Sequence, residues 1–225
     1  MKRRFLNMSH SEQTTGWAWM VIQLFLLPSV VELLTHLFHL NISAAMLNVM
    51  LFCLNFIGTV TIFRQYLQHQ TECIKLWRML VFVPLGLVLY WLAATGVSYL
   101  IMQLWPAHIN PNNQAVMALH EELPILMTIG IVFLVPITEE TLFRGLLFGT
   151  VYKKHPVLGF IVSVLGFAVI HVFSYIDQLP LATLLISILQ YIPAGIVLSL
   201  SYLWARTLVA PILIHGIINL LATLQ

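Results

Sequence analysis

Seven apolar runs, separated by short polar stretches, divide the chain. A helix needs about 20 mostly apolar residues to cross a bilayer, and most of the runs reach that length. The runs are Trp17–Phe38, Ala44–Tyr66, Leu76–Leu104, Leu123–Tyr152, Val157–Phe173, Leu181–Leu203 and Leu208–Leu224. This pattern predicts an all-α, polytopic bundle of about seven transmembrane spans, numbered one to seven in chain order.

The composition agrees with this pattern. Of the 225 residues, 60% are hydrophobic and only 8% are charged, whereas soluble domains carry about 25% charged residues. The chain is therefore expected to be a multi-pass protein of the cell membrane, and the seven spans leave no room for a soluble domain.

Lysine and arginine occupy only every second loop, and Arg144 is the one exception. Short cytoplasmic loops carry the excess of these residues in membrane proteins, so the distribution predicts a cytoplasmic N-terminus. The basic residues on the predicted cytoplasmic side are Lys2, Arg3, Arg4, Arg64, Lys75, Arg78, Lys153, Lys154 and Arg206.

Three charged residues lie inside span four, which is otherwise apolar. A charge at this depth costs about 3 kcal/mol unless it is paired or hydrated. Glu139, Glu140 and Arg144 are therefore functional candidates. Glu140 and Arg144 are four residues apart and share a helix face. Glu139 lies about 100° around the helix and has no obvious counter-ion.

Two later spans carry polar residues at the same four-residue spacing. Span five contains Phe167-x-x-x-His171, and span seven contains His215-x-x-x-Asn219. With a rise of about 1.5 Å per residue, Glu139, His171 and His215 lie roughly 20, 22 and 13 Å from their cytoplasmic ends. The three segments are therefore expected to meet at one level of the bilayer.

Pro136 lies three residues before Glu139 in the same span. A proline inside a helix frees a backbone carbonyl and kinks the helix, which membranes tolerate only where protein or a hydrated cavity covers the break. The sequence thus predicts a cavity beside the carboxylates, and we expect it to open towards the cytoplasm.

The order Glu-Glu-x-x-x-Arg, Phe-x-x-x-His and His-x-x-x-Asn on separate spans resembles the CAAX protease and bacteriocin-processing family. This family includes the type II CAAX prenyl endopeptidases, which are glutamate-type intramembrane proteases. The resemblance covers about Leu123–Leu224. It divides the chain into residues 1–122, with spans one to three and an outer loop, and a catalytic core of residues 123–225.

The resemblance implies a membrane-embedded peptidase. The first glutamate and the histidine of the second motif would activate a water, which assigns that role to Glu139 and His171. The histidine and asparagine of the third motif would stabilise the oxyanion, which assigns that role to His215 and Asn219. Supporting roles fall to three further residues: Glu140, Arg144 and Phe167.

The expected partners are the lipid bilayer and a peptide or protein substrate, with no nucleic acid. The substrate stays open between CAAX-like proteins, bacteriocins and signalling peptides. No cofactor is expected, but Glu139, His171 and His215 also form the His₂Glu donor set of zinc hydrolases. Zinc at these three residues is therefore an alternative.

Three further interpretations compete with proteolysis. The polar residues could form a buried network that only joins helices. The protein could bind a peptide without cleaving it, as an immunity or scaffold protein. Acids and histidines also build proton relays in transporters, although the chain shows no inverted repeat of the kind found in secondary transporters.

Overall fold

The computed structural model describes residues 4–224, and this part of the chain is helical with no strand. Pro124–Tyr152 and the N-terminal span each combine several helical segments into one continuous helix. In chain order the helices are α1 His10–Leu37, α2 Ala44–Ile62, α3 Arg64–Glu72, α4 Leu76–Leu104, α5 Pro111–Glu122, α6 Pro124–Tyr152, α7 Pro156–Ile170, α8 Leu181–Ala205 and α9 Val209–Thr223.

The predicted helical membrane bundle is confirmed. Five helices, α1, α2, α4, α6 and α8, are long and apolar enough to cross a membrane. Two shorter apolar helices, α7 and α9, coincide with predicted spans five and seven. The protein is thus a multi-pass membrane protein. Its orientation stays a prediction, and Lys2 and Arg3, on which it partly rests, lie outside the described residues.

Span two ends earlier than the sequence predicts. The helix α2 stops at Ile62, and the polar helix α3 begins at Arg64 after the backbone departs from helical angles at Phe63. Glu12 of α1 explains this break, since its carboxylate accepts the backbone N–H of Tyr66 at 2.7 Å. A carboxylate at the first turn of a helix satisfies an orphan N–H and the helix dipole.

The main hydrophobic core lies at the end of the bundle where α3, the end of α6 and the end of α8 meet. The segment before α1 is part of this core, since Phe5, Leu6 and Met8 are all buried. Its backbone is also anchored there. The Phe5 carbonyl accepts hydrogen bonds from Gln70 at 2.7 Å and from the Tyr202 hydroxyl at 3.1 Å.

Gln70 of α3 also fixes the start of α9. Its side-chain carbonyl accepts the N–H of Leu208 at 2.8 Å, and its backbone carbonyl accepts the hydroxyl of Thr207 at 2.7 Å. All three residues are buried. The first turn of α9, and with it the height of His215 in the bundle, is therefore set by a helix that the apolar pattern does not reveal.

Candidate active site

A fully buried cluster joins α6 to α9. One carboxylate oxygen of Glu140 accepts hydrogen bonds from Arg144 Nη1 and from His215 Nδ1, each at 2.9 Å. Glu140 and Arg144 are 0% exposed, and His215 is buried as well. A carboxylate only accepts hydrogen bonds, so Nδ1 of His215 carries the proton that points to Glu140.

Glu139 differs from its neighbour in both exposure and pairing. Its side chain is 25% exposed, and its Oε2 lies 4.0 Å from Nε2 of His215. This oxygen is buried without a hydrogen-bond partner. The separation is too long for a direct hydrogen bond but suits two groups that share one water molecule. Glu139 and His215 therefore face each other without a direct hydrogen bond.

Phe167 of α7 packs at the centre of the site. The guanidinium of Arg144 lies over its ring at 4.3 Å from the ring centre. The rings of His171 and His215 lie 4.7 and 5.7 Å from it, centre to centre. A guanidinium over an aromatic face is stabilised by the ring quadrupole, so Phe167 supports the cation and spaces the two imidazoles.

His171 lies just past the end of α7 rather than within a longer span as the sequence predicts. Its Nδ1 donates to the carbonyl of Phe167 at 2.7 Å, while its backbone N–H bonds to Val169. The side chain thus takes the carbonyl that would continue the helix, as histidines near helix ends often do. Its Nε2 remains free, and His171 interacts electrostatically with Glu139 and His215.

Asn219 lies one turn beyond His215, beside the point where Pro136 interrupts the backbone hydrogen bonding of α6. The α6 backbone widens to a π-helix over Gly130–Leu134, and Pro136 has no N–H to bond the carbonyls of the preceding turn. The Asn219 amide donates to one of these, the Ile131 carbonyl, at 2.7 Å. Next to it, Gly216 lets α9 approach closely, since a Cβ there would lie 2.7 Å from the Val132 carbonyl.

The end of the bundle predicted to be cytoplasmic is filled directly beyond the charged residues. One residue after Arg144, Gly145 packs against the ring of Tyr66, and a Cβ there would lie 2.8 Å from that ring. Further along α6, Phe148 packs edge-on against Tyr202, and both are buried. This end of the bundle is therefore closely packed, and the expected opening towards the cytoplasm stays a prediction.

Comparison with known proteins matches the part of the chain that holds this site. Residues 121–221 match the family described as type II CAAX prenyl endopeptidase Rce1-like. The predicted resemblance to CAAX proteases is confirmed. The Rce1-like region contains all four proposed catalytic residues, Glu139, His171, His215 and Asn219, and the supporting residues as well.

One curated relative is the membrane-embedded CAAX protease MroQ of Staphylococcus aureus (strain USA300). It is 25% identical over 143 residues, which cover 60% of this chain and 53% of the relative. The matched residues thus span about half the length of this relative. No solved structure matches the chain.

The Rce1-like region also holds site residues that sequence reasoning missed. The carbonyl of Gly195 accepts Arg144 Nη2 at 3.3 Å, and the ring of Tyr191 stacks on His171 with 4.2 Å between centres. Both lie on α8, which carries none of the three motifs. An aromatic residue in an apolar span resembles ordinary packing, so only a three-dimensional contact distinguishes Tyr191.

The zinc alternative needs at least three ligands gathered around one point. Among residues 4–224, no group of three or more His, Cys, Asp or Glu side chains is arranged to hold a metal ion. The Nδ1 atoms of His171 and His215 are both bonded to protein oxygens. Zinc bound to Glu139, His171 and His215 would thus need their Nε2 atoms and a rearrangement of the site.

Proposed function

We propose that this protein is an intramembrane endopeptidase that hydrolyses a peptide bond of a membrane-associated or secreted peptide. The observation that carries the proposal is the buried, unpartnered oxygen of Glu139 facing Nε2 of His215 across 4.0 Å. Glu140 also has one unpartnered oxygen, but its other oxygen is bonded to Arg144 and His215, whereas Glu139 Oε2 has only His215 at 4.0 Å. A glutamate that only joined helices would be expected to have a hydrogen-bond partner in the protein.

In the proposed reaction Glu139 acts as the general base. Together with His171 it removes a proton from a water whose oxygen attacks the scissile carbonyl carbon. The carbonyl π electrons move onto oxygen and form a tetrahedral oxyanion. When this intermediate collapses, the C–N bond breaks and Glu139 returns the proton to the leaving amine. The products are one carboxylate and one amine, with one water consumed.

His215 and Asn219 are proposed to stabilise the oxyanion. Glu139, Glu140 and Arg144 together carry one uncompensated negative charge, so a protonated His215 would make the cluster neutral. Its Nδ1–H already donates to Glu140 at 2.9 Å, and Nε2–H would then be the donor to the oxyanion. Asn219 uses one amide hydrogen for Ile131, which leaves the second for the same purpose. Removal of one such donor typically costs about 3 kcal/mol of barrier.

The test is cleavage of a defined peptide pool by the purified full-length chain in detergent micelles. The pool contains a farnesylated peptide with a C-terminal CAAX sequence and unlipidated amphipathic peptides of about 20 to 30 residues, which are roughly 70 to 100 Å long when fully extended. The reaction runs in ¹⁸O-labelled water, and mass spectrometry detects new termini. We expect one ¹⁸O in the new carboxylate, because water is the nucleophile.

The matched variants are Glu139→Gln and Glu32→Gln. Glu32 is an exposed glutamate of α1, so its substitution removes the same charge from another span. Glu139→Gln should reduce the cleavage rate about 10²- to 10⁴-fold, whereas Glu32→Gln should leave it unchanged. Cleavage of no peptide by the natural chain, or full activity of Glu139→Gln, would contradict the proposal.

Two arms of the same assay address the alternatives. Addition of a strong chelator should leave the rate unchanged if no zinc takes part, and should abolish it if zinc is bound. Retention of peptide by Glu139→Gln without cleavage fits an enzyme that has lost its base. A pool peptide bound equally by the natural chain and all variants, but never cleaved, would favour the scaffold interpretation.

A further inference from the structure

The imidazole of His171 is held from two sides, and only one of them belongs to its own helix. Its Nδ1 is bonded to the Phe167 carbonyl at 2.7 Å. Its ring lies flat against Tyr191 of α8, with 4.2 Å between the centres and 25° between the planes. The hydrogen bond alone allows the ring to turn about the N···O axis, whereas the stack fixes the plane of the ring.

Tyr191 is itself fixed by the N-terminus of α5. Its hydroxyl donates to Asn113 Oδ1 at 2.8 Å and accepts from the side-chain amide of Asn112 at 3.0 Å. Asn110 caps α5 through the N–H groups of Asn112 and Asn113. Asn110 also donates to Gln190 of α8 at 2.6 Å. The asparagines of α5 thus bind two successive residues of α8.

We propose that Tyr191 is a positioning residue for His171, and that the asparagine tether couples the orientation of this imidazole to α5. The proposal rests on the peptidase function proposed above, in which His171 helps to activate water. The phenol hydroxyl is occupied by asparagines, so Tyr191 acts through the face of its ring and not as a proton donor.

The first test is independent of catalysis. In the full-length protein with ¹³C-labelled histidine, the ring signals of His171 are identified by their absence in a His171→Gln variant. The current of a stacked aromatic ring shifts these signals to lower frequency. Tyr191→Leu should remove this shift, and Tyr191→Phe should keep it. Tyr99, which is exposed on α4, provides the control: Tyr99→Leu should change nothing.

The second test uses the peptidase assay. Misplacement of a reacting group by about 1 Å costs roughly 100-fold in rate, so Tyr191→Leu should lower kcat by about 10- to 100-fold with little change in KM. Tyr191→Phe keeps the stack and should recover most of kcat. The double variant Asn112→Ala/Asn113→Ala removes the two shorter hydrogen bonds to the Tyr191 hydroxyl and keeps its ring. It should cause a smaller loss, and it serves also if Tyr191→Leu fails to fold.

Unchanged His171 signals in Tyr191→Leu would overturn the proposal, and so would equal damage by Phe and Leu at position 191. His171 signals that match those of the natural chain, in a folded Asn112→Ala/Asn113→Ala protein with full kcat, would overturn the coupling to α5. Absence of cleavage by the natural chain would refute the peptidase function but leave the spectra to decide whether Tyr191 orients His171. The two failures are thus distinguishable.

Discussion

The two halves of the molecule bury very different shares of their apolar spans. In the most apolar windows of α1, α2 and α4, 11%, 11% and 6% of the residues are buried, compared with 50% in α6 and 44% in α8. The first group therefore offers most of its surface to lipid, and the second forms the interior. The buried charges Glu140 and Arg144 lie on α6 of the second group and have partners on α8 and α9, as buried charges require.

Different interactions stabilise the two halves. Lipid tails are as apolar as leucine, so helices in a membrane associate through close packing and polar contacts. Trp19 of α1 packs on Gly58 of α2 and donates to the buried hydroxyl of Thr59 at 3.0 Å. The interior half depends on charge pairing around Glu140. Substitutions should therefore cost more in the interior half than between α1 and α2.

The largest expected effect on stability separates the two adjacent glutamates. Glu140→Gln leaves Arg144 buried without a countercharge, which typically costs about 3–5 kcal/mol. Glu139→Gln changes a partly exposed group with no ion pair to Arg144, and should cost about 0.5 kcal/mol. Thermal unfolding of the purified variants in one detergent measures the difference. Equal destabilisation by both substitutions would show that the exposed and buried acids are not distinct.

An intermediate effect is expected at Asn219. Asn219→Ala leaves the Ile131 carbonyl at the Pro136 break without its partner, and a buried unsatisfied group costs about 1–3 kcal/mol. Asn48 is the matched control, because its amide bonds only to the Ala44 carbonyl of its own helix. Unfolding temperatures of the two alanine variants decide the matter. If Asn219→Ala is as stable as Asn48→Ala, the bond to Ile131 is not structural.

The sequence predicts the helices of the interior half better than it predicts the contacts between them. Apolar runs locate the spans because each helix must bury its backbone polar groups within the bilayer. The four-residue spacing also predicts the Glu140–Arg144 pair, which the structure places at 2.9 Å. Backbone acceptors such as the Ile131 and Gly195 carbonyls carry no side-chain signal. Their partners could therefore not be predicted from residue patterns.

The end of the bundle around α3 was predicted least well. Polar helix α3 has no apolar run, yet Gln70 anchors α9 and Tyr66 packs against Gly145. Burial raises the pKa of Tyr66 well above its usual value, and its hydroxyl shares a hydrogen bond with Tyr202 at 2.7 Å. These contacts join residues 79 to 138 positions apart in the sequence, and periodicity within one segment contains no information about such pairs.

The smallest effect is expected between α1 and α2. Trp19→Phe keeps an aromatic ring on Gly58 but leaves the hydroxyl of Thr59 without its donor, so it should cost about 0.5–1.5 kcal/mol. Trp91→Phe is the control, since Trp91 is 66% exposed on α4 and should give no measurable change. The rate of peptide cleavage per folded molecule should be unaffected in both variants, because neither residue contacts the charged cluster. Loss of activity in folded Trp19→Phe would mean that the lipid-facing half also shapes the site, and the contrast between the two halves would then fail.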